Sequence, residues 1–156
     1  MICSFEYAKK ARELILNNKS NENNIITQRI GYSTPMKLIL DLHIDLAHLA
    51  LGVNLYKDYK KSTAILNDLS LVLNRVADIA IFLDVELIVD IEEIQTTDPS
   101  ITLNALFNNV SMLNYKKGIA RNKLVNRIAP LFVELVYSLG FTLEDLEERY
   151  KTIMEV

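Results

Sequence analysis

The 156-residue chain has few of the residues that interrupt secondary structure, with only four glycines and three prolines. This scarcity favours long elements over many short strands and turns. A single cysteine, Cys3, excludes an internal disulfide. We therefore expect a chain suited to a reducing compartment and predict a cytoplasmic protein.

Long uncharged apolar runs are also missing, since none reaches the roughly 18–20 residues of a membrane span. Charged residues follow the apolar start of the chain at once, which argues against a secretory signal. The formal net charge of −3 argues against a general affinity for nucleic acids. Half of the residues are apolar, as in a globular protein, so we predict one α-helical domain over 1–156, with its core bundle at about 34–155.

Helical periodicity runs through most of the chain, and no segment shows a convincing strand alternation. The pattern predicts an all-α bundle of four to six helices. The predicted helices cover residues 4–17, 36–51, 64–84, 101–113 and 119–139, and a last helix follows residue 142. The helix over 64–84 is predicted to continue into an acidic tail over 85–94.

Punctuating residues set several of these boundaries. Residues 18–24 predict a polar loop, and 33–35 predict a helix start with proline at the first position. Pro130 predicts a kink or break, and Gly140 predicts a helix end. The spacing of Thr142 and Asp145 is typical of a capping box.

The two central predicted helices are apolar on almost every side, yet they carry carboxylates. Asp41, Asp45 and His48 share one face of the first helix, and Arg75 precedes Asp78 by one turn in the second. Buried carboxylates are costly unless they are paired or bound to a cation. The pattern fits either a buried ion-pair network that sets the helix register or a ligand site between facing helices.

Four stretches of the chain resemble a known family when they are taken in order. DLHIDLAHLA (41–50), LYKDYK (55–60) and NRVADIAIF (74–82) resemble the centre of the all-α nucleoside triphosphate pyrophosphohydrolases. The resemblance is nearest to the dimeric dUTPases, with MazG-like proteins as relatives, and LGFTLEDLEERY (139–150) resembles the last dUTPase helix. It implies a dimeric helical fold in which acidic side chains hold Mg²⁺ for nucleotide hydrolysis.

The family holds its metal with E-x-x-E on one helix and E-x-x-D on the next. By resemblance, Asp45 and His48 occupy the first pair, and Arg75 and Asp78 occupy the second. The formal charge at these positions falls from about −4 to about −1, and a guanidinium would repel Mg²⁺. We predict a degenerate site in which Arg75 bridges an aspartate. Asp45 and Asp78 remain the candidate metal ligands, and Mg²⁺ is the cofactor only if the chain is active.

Three functions remain open. The first is a nucleotide-binding or regulatory protein with impaired hydrolysis, with Lys57, Lys60 and Lys61 as candidate phosphate contacts. The second is an active dUTPase-like enzyme with unusual ligands, such as Asp41. The third is a helical interaction or oligomerisation module. Because apolar residues on several helix faces favour a subunit interface, we predict a homodimer, with a nucleotide or another protein as a further partner.

Overall fold

The structure is a computed structural model that describes residues 1–22, 35–54, 58–113 and 116–155. Six helices in these ranges form a bundle around a shared hydrophobic core, which confirms the predicted all-α fold. The helices are α1 (Glu6–Glu22), α2 (Pro35–Val53), α3 (Thr63–Leu83), α4 (Pro99–Ser111), α5 (Lys117–Ser138) and α6 (Leu143–Met154). No single helix in the described ranges is long and apolar enough to cross a membrane, and α5 and α6 pass that test only as a pair bent by 99°.

A small antiparallel sheet joins two distant parts of the chain, and the sequence reading missed it. Strand β1 (Ile2–Ser4) pairs with β2 (Ile88–Asp90), with Cys3 opposite Val89. Only the middle residue of each strand is buried, and three residues are too few for alternation to be recognised. The expected helical tail over 85–94 is therefore wrong, because β2 lies within it.

The N-terminal helix is longer and more deeply packed than expected. Helix α1 continues to Glu22, so the loop predicted over 18–24 is wrong for its first five residues. Each residue added to an existing helix gains a hydrogen bond, which lets a polar stretch extend one. Phe5, Ala8 and Ala11 are buried in the common core, so the core begins before residue 34. The interval 23–34, with most of the predicted start signal at 33–35, lies outside the described residues.

Helix α3 is central, as its apolar character indicates, and both of its ends are capped. Ser62 accepts a hydrogen bond from the backbone N–H of Ile65 at the start. At the end, Asp84 adopts the left-handed conformation with φ 53°, and the Val85 N–H bonds to the Ala80 carbonyl. This closing pattern satisfies carbonyls of the last turn and ends the helix.

Helix α5 passes through Pro130 without breaking. A five-residue π-helical turn (Leu124–Ile128) comes just before it, and the Ala129 N–H bonds to the Leu124 carbonyl five residues back. Because proline has no N–H to donate, the wider turn accommodates it. The predicted kink or break is thus a local π-turn.

The junction between α5 and α6 follows its sequence signals. Gly140 ends α5 with φ 89°, and the Phe141 N–H bonds to the Val136 carbonyl. The predicted capping box is present at the start of α6. Asp145 accepts from the Thr142 N–H at 2.9 Å, and the Thr142 hydroxyl accepts from the Asp145 N–H at 3.1 Å.

Candidate functional site

Four charged side chains from three helices meet at one place, which we call the Asp–Arg cluster: Arg12, Asp45, Arg75 and Asp78. Arg75 Nε lies 2.8 Å from Asp45 Oδ2, and its Nη1 lies 3.4 Å from Asp78 Oδ2. Arg12 binds the same Asp78 carboxylate through Nε at 2.7 Å and Nη2 at 3.2 Å. Three of the four predicted metal-site positions therefore converge, and Arg12 joins them.

The antiparallel packing of α2 and α3 produces this arrangement. Asp45 contacts Arg75, while Gly52, further along α2, approaches Asp68, earlier in α3. Arg75 and Asp78 share a face because they are three residues apart on α3. This face of α3 also meets Arg12 of α1, so the cluster forms where three helices come together.

The cluster contains two aspartates and two arginines, so its formal charges cancel. The Asp78 side chain is only 8 % exposed, and its desolvation is offset by two guanidinium groups. Burial of Arg75 disfavours its charge, but the hydrogen bond to Asp45 and the charges of Asp45, Asp78 and Asp41 outweigh this effect. Together they raise the pKa of Arg75. Asp41 thus acts on the cluster through its charge.

His48 does not reach the cluster. His48 is exposed, and its charge acts on Asp68, which lies nearer the start of α3 than Arg75 does. Burial raises the pKa of Asp68, with His48 lowering it and Asp45 raising it further. His43 stacks on Phe107, with the two ring centroids 6.0 Å apart.

The candidate phosphate-binding lysines lie elsewhere or outside the described residues. Lys57 belongs to the undescribed stretch 55–57. Lys60 and Lys61 are exposed just before α3 begins, and Lys61 Nζ lies 5.2 Å from the centroid of the Phe141 ring. Since a helix rises about 1.5 Å per residue, the start of α3 is about 20 Å along its axis from Arg75. The structure does not bring these two lysines to the Asp–Arg cluster.

A pocket of about 380 Å³ opens beside the cluster, lined by Arg12, Asp45, Leu71, Asn74 and Arg75. The carboxamide of Asn74 is fixed by a hydrogen bond, because the buried Tyr150 hydroxyl donates to its Oδ1 at 2.7 Å. The pocket therefore presents two guanidinium groups, a carboxylate and a fixed amide to a ligand.

The sequence patterns did not predict that Arg12 or the Tyr150–Asn74 pair belongs to this site. One local signal pointed to Arg12, which follows the buried Ala8 by one helical turn and so borders the apolar face of α1. Its partner, however, is 66 residues away. Helical spacing relates residues of one helix and cannot reveal such a contact.

The donor set of the cluster does not fit Mg²⁺. Magnesium requires near-octahedral oxygen ligands, whereas Arg75 contacts both Asp45 and Asp78 and lies between them. In the ranges that the structure describes, no three His, Cys, Asp or Glu side chains are grouped to hold a metal ion. No hydrolytic step through a metal follows from this geometry.

Comparison with known proteins yields no relative on which to base an assignment. No family model matches the sequence, and no curated protein or solved structure matches it. The function is therefore inferred from the helical bundle and its Asp–Arg cluster.

Proposed function

We propose that this chain is a dUTPase- or MazG-like nucleotide-binding or regulatory protein that has lost Mg²⁺-dependent pyrophosphohydrolysis. The observation that carries the proposal is the position of Arg75. Its guanidinium lies 2.8 Å from Asp45 and 3.4 Å from Asp78, where the family resemblance expects a metal between carboxylates. A fixed protein cation takes the place of a divalent one.

Binding Mg²⁺ at this position would require a large rearrangement. Asp45 and Asp78 would have to exchange charge-assisted hydrogen bonds for metal bonds, and Arg75 would have to leave the space between them. Such hydrogen bonds are roughly twice as strong as neutral ones. The family reaction also relies on a metal to activate water, so hydrolysis is not part of the proposed function.

The same geometry supports direct recognition of phosphate. Arg12 and Arg75 both line the pocket beside the cluster. A guanidinium carries five N–H donors. The described hydrogen bonds of the cluster use two nitrogen atoms of each arginine. Donors that remain can bind phosphate oxygens, for which the planar guanidinium is well suited. We propose that a phosphate of the nucleotide binds here without metal.

Calorimetry with dUTP and other nucleoside triphosphates tests the proposal. We expect binding that is the same in Mg²⁺ and in EDTA, with no release of pyrophosphate. Arg75→Met should weaken binding at least tenfold, because it removes a charged phosphate contact. Arg127→Met is the matched control, since Arg127 is an exposed arginine of α5 outside this pocket.

Two outcomes would contradict the proposal in different ways. Metal-dependent pyrophosphate release that Asp45→Ala or Asp78→Ala abolishes would establish the active-enzyme alternative. Absence of both binding and release with every nucleotide would favour the interaction module.

A further inference from the structure

The outward face of α2 is apolar along its whole length. Met36, Leu40, Ile44 and Leu51 are 54, 57, 47 and 77 % exposed, and Ala47 between them is exposed as well. Their spacing places all five on one side of the helix, and we call this set the α2 stripe. A surface helix of a globular protein normally turns polar residues outward.

The core does not account for the α2 stripe. Helix α2 packs into the bundle through a different face, on which Ile39, Leu42, Leu46 and Leu49 are buried. The helix thus has two apolar faces, and the part of the chain that the structure describes buries only one. A central position explains α3 but not α2, so its second apolar face requires another explanation.

We propose that the α2 stripe binds the same stripe of a second copy of this chain, with the two helices antiparallel and a twofold axis near Ile44. The stripe is self-complementary in this arrangement. Met36 and Leu51 lie eight and seven residues from Ile44, and Leu40 and Ala47 lie four and three residues from it. A twofold interface requires such symmetry, because each patch must match itself.

The charges beside the stripe favour the antiparallel direction. Asp41 lies three residues before Ile44 and His48 lies four after it, so each carboxylate meets an imidazole of the second copy. Lys37, near the start of α2, meets the far end of the other helix, where the carbonyl dipoles favour a cation. Parallel helices related by a twofold axis would instead carry the two copies of Asp41 and His48 on opposite sides of the contact, so no carboxylate would meet an imidazole.

The interface continues beyond the helix itself. Leu51 also lines a groove of about 400 Å³ between α2 and α4, together with Ala50, Leu103 and Phe107. Met36 of the second copy falls opposite Leu51 and enters this groove, and methionine is suited to filling irregular apolar space. The stripe exposes on the order of 400 Å² per copy, and with the groove walls a pair buries about 1,000 Å², the lower limit for a specific interface.

Sedimentation velocity of the full chain over a range of concentrations tests the interface. We expect a dimer for the native chain and at least a 100-fold higher dimer dissociation constant for Leu40→Glu and for Ile44→Glu. Leu14→Glu is the matched control, because Leu14 is 60 % exposed on α1, and it should leave the dimer intact. Circular dichroism checks that each variant remains helical. A native chain that stays monomeric, or a dimer that both glutamate variants leave unchanged, would overturn the proposal.

Cysteine cross-linking tests the direction of pairing, in a Cys3→Ala background. Ile44→Cys lies beside the twofold axis and should form a disulfide between copies on oxidation. Leu40→Cys should not, since its two copies are about 12 Å apart along the helices, which exceeds the reach of a disulfide. Equal cross-linking of both variants would show parallel helices and contradict the antiparallel arrangement.

Discussion

Arg12 and Asp78, which are 66 residues apart, are joined by two hydrogen bonds of 2.7 and 3.2 Å between guanidinium and carboxylate. The pair connects α1 to α3 and covers a carboxylate that is only 8 % exposed. Because Asp78 also accepts a bond from Arg75, Arg12 completes a network that would otherwise carry excess negative charge. Arg12 is therefore both a structural contact and a wall of the pocket.

Arg12→Met should destabilise the fold by about 2–3 kcal/mol, because it leaves the buried Asp78 with one weaker partner. Urea denaturation measures the change. Glu147→Gln is the control, since its ion pair with Lys151 joins side chains that are 41 and 47 % exposed. Loss of that pair should change stability by less than about 1 kcal/mol. Equal effects of the two variants would show that the Arg12–Asp78 pair has no special role.

Two packed tyrosines provide a second matched comparison. The Tyr150 hydroxyl donates to Asn74 Oδ1, whereas the buried Tyr7 hydroxyl has no hydrogen-bond partner among the described residues. Tyr150→Phe should cost about 1–3 kcal/mol, since it leaves a buried amide oxygen unsatisfied. Tyr7→Phe should be neutral or slightly stabilising. A larger loss for Tyr7→Phe in thermal or urea denaturation would contradict this assignment.

Tyr150 also predicts a loss of stability at high pH. Burial raises the pKa of Tyr150 from 10 to about 12. The positive charge of Arg12 lowers this pKa and the negative charge of Asp78 raises it, but both effects are smaller than that of burial. The folded state therefore holds its phenolic proton more tightly than the unfolded chain. The stability that the protonated Tyr150 side chain contributes to the fold is complete below pH 10 and is lost as the pH rises through 12. Denaturation between pH 8 and 11.5 should show a shallower decline for Tyr150→Phe than for the native chain. Identical slopes would contradict the raised pKa.

How far the sequence predicts this site depends on the range of the interactions. The convergence of Asp45, Arg75 and Asp78 follows from helical spacing on two neighbouring helices. His48 was placed with them by resemblance, but it is exposed, and its charge acts on Asp68. Arg12 enters from a helix whose packing no local pattern specifies.

The fold shows the same limit. Helix ends with strong local chemistry, such as Gly140 and the Thr142–Asp145 box, are where the sequence places them. The pairing of β1 with β2 depends on tertiary contacts between distant segments, so periodicity could not reveal it. Hydrophobicity also could not tell whether the apolar faces of α2 point into the core or outward, because both environments favour the same residues.

Two glycines should respond to alanine in opposite directions. Gly140 has φ 89°, a conformation that alanine adopts only with strain, so Gly140→Ala should cost about 1 kcal/mol. Gly118 lies in α5, and a Cβ added there meets nothing within 4 Å. Gly118→Ala should therefore stabilise the chain by about 0.5 kcal/mol through helix propensity. Urea midpoints measure both changes, and a common sign would contradict the described end of α5.

Restoring a carboxylate at position 75 should create a metal site if Arg75 occupies the place of the metal. Arg75→Glu brings three acidic side chains together, and we expect the variant to be less stable than the native chain in EDTA. Magnesium should restore stability, by about 2.7 kcal/mol at a concentration 100 times its dissociation constant. Adding His48→Glu should change the affinity less than tenfold, because His48 is exposed and makes no described contact with the Asp–Arg cluster. Arg127→Glu on α5 is the control and should show no response to Mg²⁺. If Arg75→Glu is equally insensitive in calorimetry and thermal denaturation, then Asp45 and Asp78 do not converge on a site that a metal can fill.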